Sequence, residues 1–176
     1  IAHVVRCFED ENVTHVANTI DPAADIDTIN AELALADLET VEKSLDRVTR
    51  VAKSGDKDAQ LQVALLEKVK VHLNTAQPVR TLELYKEEQA DLKGLHLLTC
   101  KPVMYIANVD EEGFSDNPHL ETVKRIAAGE SAEVVAICNK LEAEIAELEN
   151  EEKAEFLQDL GMEEPGLDRV IRAGYS

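Results

Sequence analysis

The residues best placed to do chemistry stand where two apolar runs stop. Val103 to Ala107 breaks at Asn108-Val109-Asp110-Glu111-Glu112, with Gly113 just beyond, and Val134 to Cys138 breaks at Asn139-Lys140. A five-residue apolar run ended by a polar break is the pattern of a parallel strand buried on both faces. Open α/β sheets bind ligands at the carboxyl ends of such strands. An amide such as Asn108 both donates to and accepts from the edge of a heterocyclic ring, while a carboxylate such as Glu111 accepts from an exocyclic amine. Exposed backbone amides in the second loop, Cys138 to Lys140, would close over that ring. The two loops together suit a base. The Asn108 stretch also reads as an ordinary strand-to-helix turn.

The surrounding elements must bring those loops side by side. Ile1 to Phe8 is β-branched and apolar and gives way to Glu9-Asp10-Glu11, which predicts a strand followed by a loop. Asp21-Pro22 supplies a cap oxygen and a first-turn proline for a long helix to about Lys53. Within it Leu38, Val41, Leu45, Val48 and Ala52 repeat at coiled-coil spacing. Ser54-Gly55-Asp56 is a turn, and a second amphipathic helix from Lys57 runs toward Pro78. Two helices with so short a link are expected to pack antiparallel as a projecting arm. A pair lying flat on the core is the alternative. Leu82 to Leu92 predicts a short returning helix that Gly94 stops.

After the Val103 strand, Asn117-Pro118 starts a helix that ends at Gly129. The Val134 strand, an amphipathic helix over Leu141 to Leu148, a turn of helix around Phe156 to Leu160, and a last helix from Pro165-Gly166 follow. Strand and helix alternating in this way predict an α/β domain with a parallel sheet and right-handed crossovers.

Composition bounds what this domain can do. Lys and Arg number 18 against 36 Asp and Glu, a formal charge of −18, which argues against broad attraction to nucleic acid or anionic membrane. Aromatic residues are 3% with no Trp, which favours helices over a β-sandwich. No apolar stretch reaches the roughly 20 residues of a membrane span. Cys7, Cys100 and Cys138 are widely separated, with no His at metal-ligand spacing, and read as reduced, partly buried thiols of a cytoplasmic protein.

Several catalytic patterns are missing. None of the seven glycines is followed by Lys, so the chain holds no Walker A phosphate loop. D-x-x-G occurs at Asp91 to Gly94 and Asp110 to Gly113, and neither copy is expected in the strand-turn context that would hold magnesium. The five histidines are scattered and read as structural or solvated. The Glu-rich stretch from Glu142 to Glu155 reads as a solvated helix face, because its positions spread around the helix instead of converging. The expected catalytic and metal-ligating sets are therefore empty. A flavodoxin-like domain would need phosphate loops that are not found.

Four stretches, H-V-V-R-C-F-E-D at His3 to Asp10, D-P-A-A-D-I-D-T-I-N-A-E-L-A-L-A-D-L-E at Asp21 to Glu39, K-P-V-M-Y-I-A-N-V-D-E at Lys101 to Glu111 and E-F-L-Q-D-L-G-M-E-E-P-G-L-D-R-V-I-R-A-G-Y at Glu155 to Tyr175, resemble the Obg-related P-loop ATPases of the YchF, or Obg-like ATPase, family. The resemblance spans nearly the whole chain. It implies the rear half of a GTPase-like parallel sheet with an inserted antiparallel helical hairpin, a coiled coil. Residues 1–21 would be a strand and loop of the G domain, 22–84 the insertion and 85–176 the rear of the G domain.

Most such GTPases carry N-K-x-D in the base-reading loop, where the Asp selects guanine. This chain has Asn108-Val109-Asp110-Glu111. On the resemblance, the N-x-x-E pattern goes with ATP: Asn108 and the backbone of Val109 would contact adenine, Glu111 would replace the guanine-reading Asp, and Cys138 and Asn139 would cap the base. The family's Walker A loop, magnesium-binding switches and TGS domain would lie before Ile1 and after Ser176. The first residue, Ile1 in place of Met, also suggests something upstream. Without those parts the chain alone is expected to hydrolyse nothing. The intact protein is expected to use ATP and Mg2+, with GTP as a second nucleotide, and to associate with the ribosome, not with membrane or with DNA by sequence. A non-catalytic module acting through its helical arm is the rival.

Overall fold

The computed structural model describes residues 1–9 and 20–175, so Asp10 and Glu11, expected in a loop, lie outside the described residues. The chain divides into two compact units, residues 1–25 with 103–176, and residues 26–102.

The first unit is built on a parallel three-stranded sheet in the order β1 (Ala2–Arg6), β2 (Met104–Asn108), β3 (Glu133–Ile137). Its register sets His3 beside Tyr105 and Val4 beside Ile106, then Ile106 beside Val135 and Asn108 beside Ile137. The middle strand is the most deeply buried, with Tyr105 and Ala107 fully enclosed, because parallel strands are covered on both faces. Packed against β2 and β3 is the helix α4 (Pro118–Gly129), which buries Leu120, Val123 and Ala127. Asn117 starts it as expected: its Oδ1 accepts from the N–H of His119 and Leu120, with Pro118 in the first turn.

The second unit holds most of α1 (Pro22–Ala52) together with α2 (Lys57–Leu73). At the start of α1, Asp21 Oδ1 accepts from Ala24 N–H at 3.1 Å. Gly55, at φ +90°, makes the turn between the helices, and Asp56 caps α2 through Ala59 N–H at 2.8 Å. Val41, Leu45 and Val48 of α1 share one buried cluster with Leu65, Leu66 and Val69 of α2. An ion pair at 3.0 Å joins Glu42 to Lys70. α2 stops at Leu73, short of Pro78: Asn74 Nδ2 turns back to Lys70 O at 3.0 Å, and Ala76 adopts φ 58°.

The stretch Leu82 to Leu92 is not one helix. Val79–Thr81 forms a 3-10 turn, residues 82–85 are irregular, and only Lys86–Leu92 is helical, as α3. Leu82 and Leu84 are half-buried while Thr81, Glu83 and Tyr85 are exposed, so the burial has period two, which a helix cannot supply. A second 3-10 turn, Lys93–Leu95, ends with His96 in the left-handed region at φ 52°.

Asp37 of α1 ties this region down. Its carboxylate is buried and accepts from Leu98 N–H, Thr99 N–H and Thr99 Oγ1, each at 2.7 Å. Thr99 Oγ1 in turn accepts from Val79 N–H at 3.1 Å. A buried carboxylate is tolerated when its lone pairs are met by donors in this way.

Candidate functional site

At the end of the middle strand the backbone of Asn108 and Val109 is held from both sides. Asn108 O accepts from Cys7 N–H at 2.8 Å, and Val109 N–H donates to Ile137 O at 2.8 Å. The loop that follows is knotted by Asn117, whose Nδ2 donates to Cys7 O at 2.8 Å and to Gly113 O at 3.0 Å. Asp110 to Gly113 forms the turn just beyond this strand, and Gly113 N–H closes it onto Asp110 O at 3.2 Å.

Across from it, β3 runs into the helix α5 (Asn139–Glu147). Cys138 stands at the N-cap position, yet its side chain caps nothing. The cap comes from the neighbouring strand: Asn108 Oδ1 accepts from Asn139 N–H at 3.1 Å. This bond fixes the Asn108 amide and turns its Nδ2 group away from Asn139. Farther out, Lys140 Nζ meets Glu111 Oε1 at 2.6 Å, a bridge between the two loops that raises the lysine's pKa above its ordinary value.

The sheet is braced behind this end by α7 (Gly166–Tyr175), which packs on β3. Glu142 of α5 accepts from Gly166 N–H at 2.7 Å and Leu167 N–H at 3.1 Å, so one carboxylate serves the whole start of α7. Arg169 Nη2 donates to Ala136 O at 2.9 Å. Gly166 has no room for a side chain: a Cβ there would lie 2.6 Å from Glu142 Oε1 and 2.8 Å from Ile137 Cγ2. Ahead of α7 lies α6 (Asn150–Asp159).

Together the two loops line a pocket of about 550 Å³, bounded by residues 108–112 and 138–140 and, from the end of β1, by Phe8 and Glu9. That size lies within the usual range for small-molecule sites. All five sequence-identified residues are brought together: Asn108, Val109, Glu111, Cys138 and Asn139. Their available chemistry is narrower than their types suggest. The N–H groups of Val109 and Asn139 are already bonded, Cys138 is buried, and Glu111 is engaged by Lys140. Asn108 Nδ2 as donor and the Val109 carbonyl as acceptor have no partner among the described residues.

Sequence reading passed over Phe8 and Lys140 as site residues. The Arg6 guanidinium lies 4.7 Å from the Phe8 ring centroid, and Arg6 Nε donates to Phe8 O at 3.1 Å, so the aromatic wall is held in place. An aromatic residue two positions past the end of a strand aimed at the pocket was the available signal. Cys7 behind it is buried, and burial, with Asp25 adding to it, raises its thiol pKa to about 11. The three cysteines are unpaired, and Cys100, expected to be partly buried, is exposed.

Among the described residues no group of three or more His, Cys, Asp or Glu is arranged to hold a metal ion.

No family model matches the chain. Curated relatives do. It is 57% identical over 175 residues to "Ribosome-binding ATPase YchF" of Haemophilus ducreyi, covering 99% of this chain and 48% of that protein. The protein of the same name from Bacillus subtilis is 50% identical over 179 residues, covering 100% of this chain and 49% of the relative. Among solved structures, the Schizosaccharomyces pombe YchF GTPase superposes with a TM-score of 0.85 at 28% identity, over 99% of this chain and 48% of that one. The chain thus spans about half the length of the relatives it matches.

Proposed function

We infer from the premise that this chain belongs to the YchF family, being matched from end to end by its members, that it supplies the base-binding half of a nucleotide site. The intact protein would bind ATP, hydrolyse it with Mg2+ held by residues outside this chain, and work in the cytoplasm in association with the ribosome. The names of the relatives support its ATPase and ribosome-binding parts. The chain alone would be inactive, since it carries no phosphate loop.

One observation carries the choice of base. Glu111 is drawn to Lys140, which leaves Asn108 Nδ2 and the Val109 carbonyl as the open polar groups at the strand end. A donor beside an acceptor matches N7 and the exocyclic amine of adenine. Guanine would set its O6 against the Val109 carbonyl, two acceptors face to face, and Glu111, placed to take its ring N–H, already has one oxygen on Lys140. Phe8 supplies a face for stacking.

Calorimetric titration of the intact protein with each nucleotide tests this. ATP should bind about tenfold or more tightly than GTP, the scale of one mismatched polar contact. Replacing Asn108 by Ala removes both the base donor and the tie to Asn139, and should weaken ATP roughly 10- to 100-fold. Equal affinities for the two nucleotides would remove the base-reading argument.

A second reading, in which α1 and α2 form an inserted antiparallel coiled coil that engages a partner, has its own support. The Glu42–Lys70 pair and the shared cluster fit such packing, and Leu35, Leu61 and Val71 lie outside it, between 66% and 71% exposed. Replacing Leu61 and Val71 by Asp should abolish partner binding without unfolding the unit, and nucleotide should not alter that binding. Leu45 and Val69 are unsuited to this test, because both are buried.

A further inference from the structure

A groove of about 510 Å³ lies in the helical unit between the turn at Val79 and the segment ending at Pro102. Its floor is apolar, formed by Val79, Leu82, Leu84 and Leu97. Lys93 and Lys101 stand exposed along the groove with His96 beside them, and half-buried Arg80 also lines it. None of the described residues that line it is Asp or Glu. That is unusual in a chain where 36 of 176 residues are acidic.

Two of the carboxylates nearby are committed elsewhere. Asp37 is spent on Leu98 and Thr99, and Glu88 accepts from Lys68 and from Tyr85 N–H. Lys93 and Lys101 are exposed and make no ion pair with a described residue, so they keep their charge for something outside the unit. Arg80 is oriented by Asn30 Oδ1 at 3.2 Å. His96 ends the turn Lys93–Leu95 in the left-handed region, at φ 52°.

We propose that this groove binds a small amphipathic anion, an aliphatic chain carrying one carboxylate or phosphate. The tail lies along the leucine floor and the head group meets Lys93 and Lys101. Burial of the tail supplies affinity, and the rim supplies selection by charge. A neutral tail would leave the ammonium groups unmatched, and a cationic one would be repelled. The site is independent of the base pocket, which lies wholly in the other unit.

Titration of the full-length protein with hexanoate, octanoate and decanoate tests it. One equivalent should bind, with affinity rising roughly three- to fourfold for each added methylene. Decanol should bind about tenfold or more weakly than decanoate, and decyltrimethylammonium should not bind. Lys93→Glu combined with Lys101→Glu should abolish decanoate binding with an unchanged circular dichroism spectrum. The milder pair Lys93→Gln and Lys101→Gln should lower affinity in the same direction. Uptake of several equivalents, indifference to the head group, or full affinity in the double Glu variant would overturn the proposal. Refusal of decanoate by a groove that captures an acidic amphipathic peptide would overturn it too, in favour of a protein partner.

Discussion

The two units of this chain solve opposite problems. Residues 1–25 and 103–176 carry 7 Lys and Arg against 23 Asp and Glu, a net charge of −16. Residues 26–102 carry 11 against 13, a net charge of −2. The acidic unit is organised by backbone: a parallel sheet fixes where two loops end, and at the end of its middle strand the pocket presents the Asn108 amide and the Val109 carbonyl. The helical unit is organised by side chains: a continuous cluster of Leu and Val, and one buried carboxylate that satisfies a distant loop. The contrast teaches where each is vulnerable. Single side-chain changes should cost the helical unit its fold, and should mostly cost the α/β unit its selectivity.

The sharpest test of that contrast is Val69→Asp. Val69 is fully enclosed in the helical cluster, and an unpaired carboxylate there should cost on the order of 5 kcal/mol. Urea titration followed by circular dichroism should show the helical unit's transition lost in water. A variant that still unfolds cooperatively near the parent midpoint would mean that the cluster does not hold the unit together.

Asp37→Ala comes next. It leaves two N–H groups and a hydroxyl without their acceptor, and should cost about 3 kcal/mol. Amide exchange at Leu98 and Thr99 should accelerate most. Uniform acceleration across the unit would assign Asp37 to general packing instead of to this tie.

On the other side of the comparison stands a small change, Gly166→Ala. The added methyl collides with Glu142 and Ile137, and the expected loss is about 2 kcal/mol, read as a lower midpoint for the α/β unit alone. The base pocket should loosen with it, because Ile137 O holds Val109 and Glu142 belongs to the helix that Asn108 caps.

Much of this was legible in the sequence, and the reasons are local. Five-residue apolar runs marked β2 and β3, Asn117-Pro118 marked the start of α4, and Ser54-Gly55 marked the turn between α1 and α2, since each pattern acts over a few residues. The misreadings involve distance. Leu82 to Leu92 looks helical by composition, but Arg80 N–H bonds Thr99 O and draws the segment into an irregular path. Asp37 reads as one more helix acid, and its partners lie 61 and 62 positions away. At the strand ends the residue types were visible while their prior commitments were not: nothing local says that Asn139 N–H is taken by Asn108, or that Glu111 is paired 29 positions downstream.

That last pairing yields the smallest effect and the most discriminating one. Both members of the Glu111–Lys140 bridge are substantially exposed, so Lys140→Met should leave thermal stability unchanged. The lysine's pKa is raised in the folded protein. Its contribution is therefore complete throughout the neutral range and is lost only as pH rises through the amine's own titration, so the result should not depend on pH between about 6 and 9. Removing the ammonium frees the Glu111 carboxylate, which can then accept from the ring N–H and amino group of guanine. GTP should gain a few-fold on ATP in competition with the intact protein, while ATP affinity itself stays nearly constant. A fall in affinity for both nucleotides would place Lys140 in contact with the ligand. An unchanged ratio would mean that Glu111 takes no part in reading the base, and that selection rests on Asn108 and the Val109 carbonyl alone.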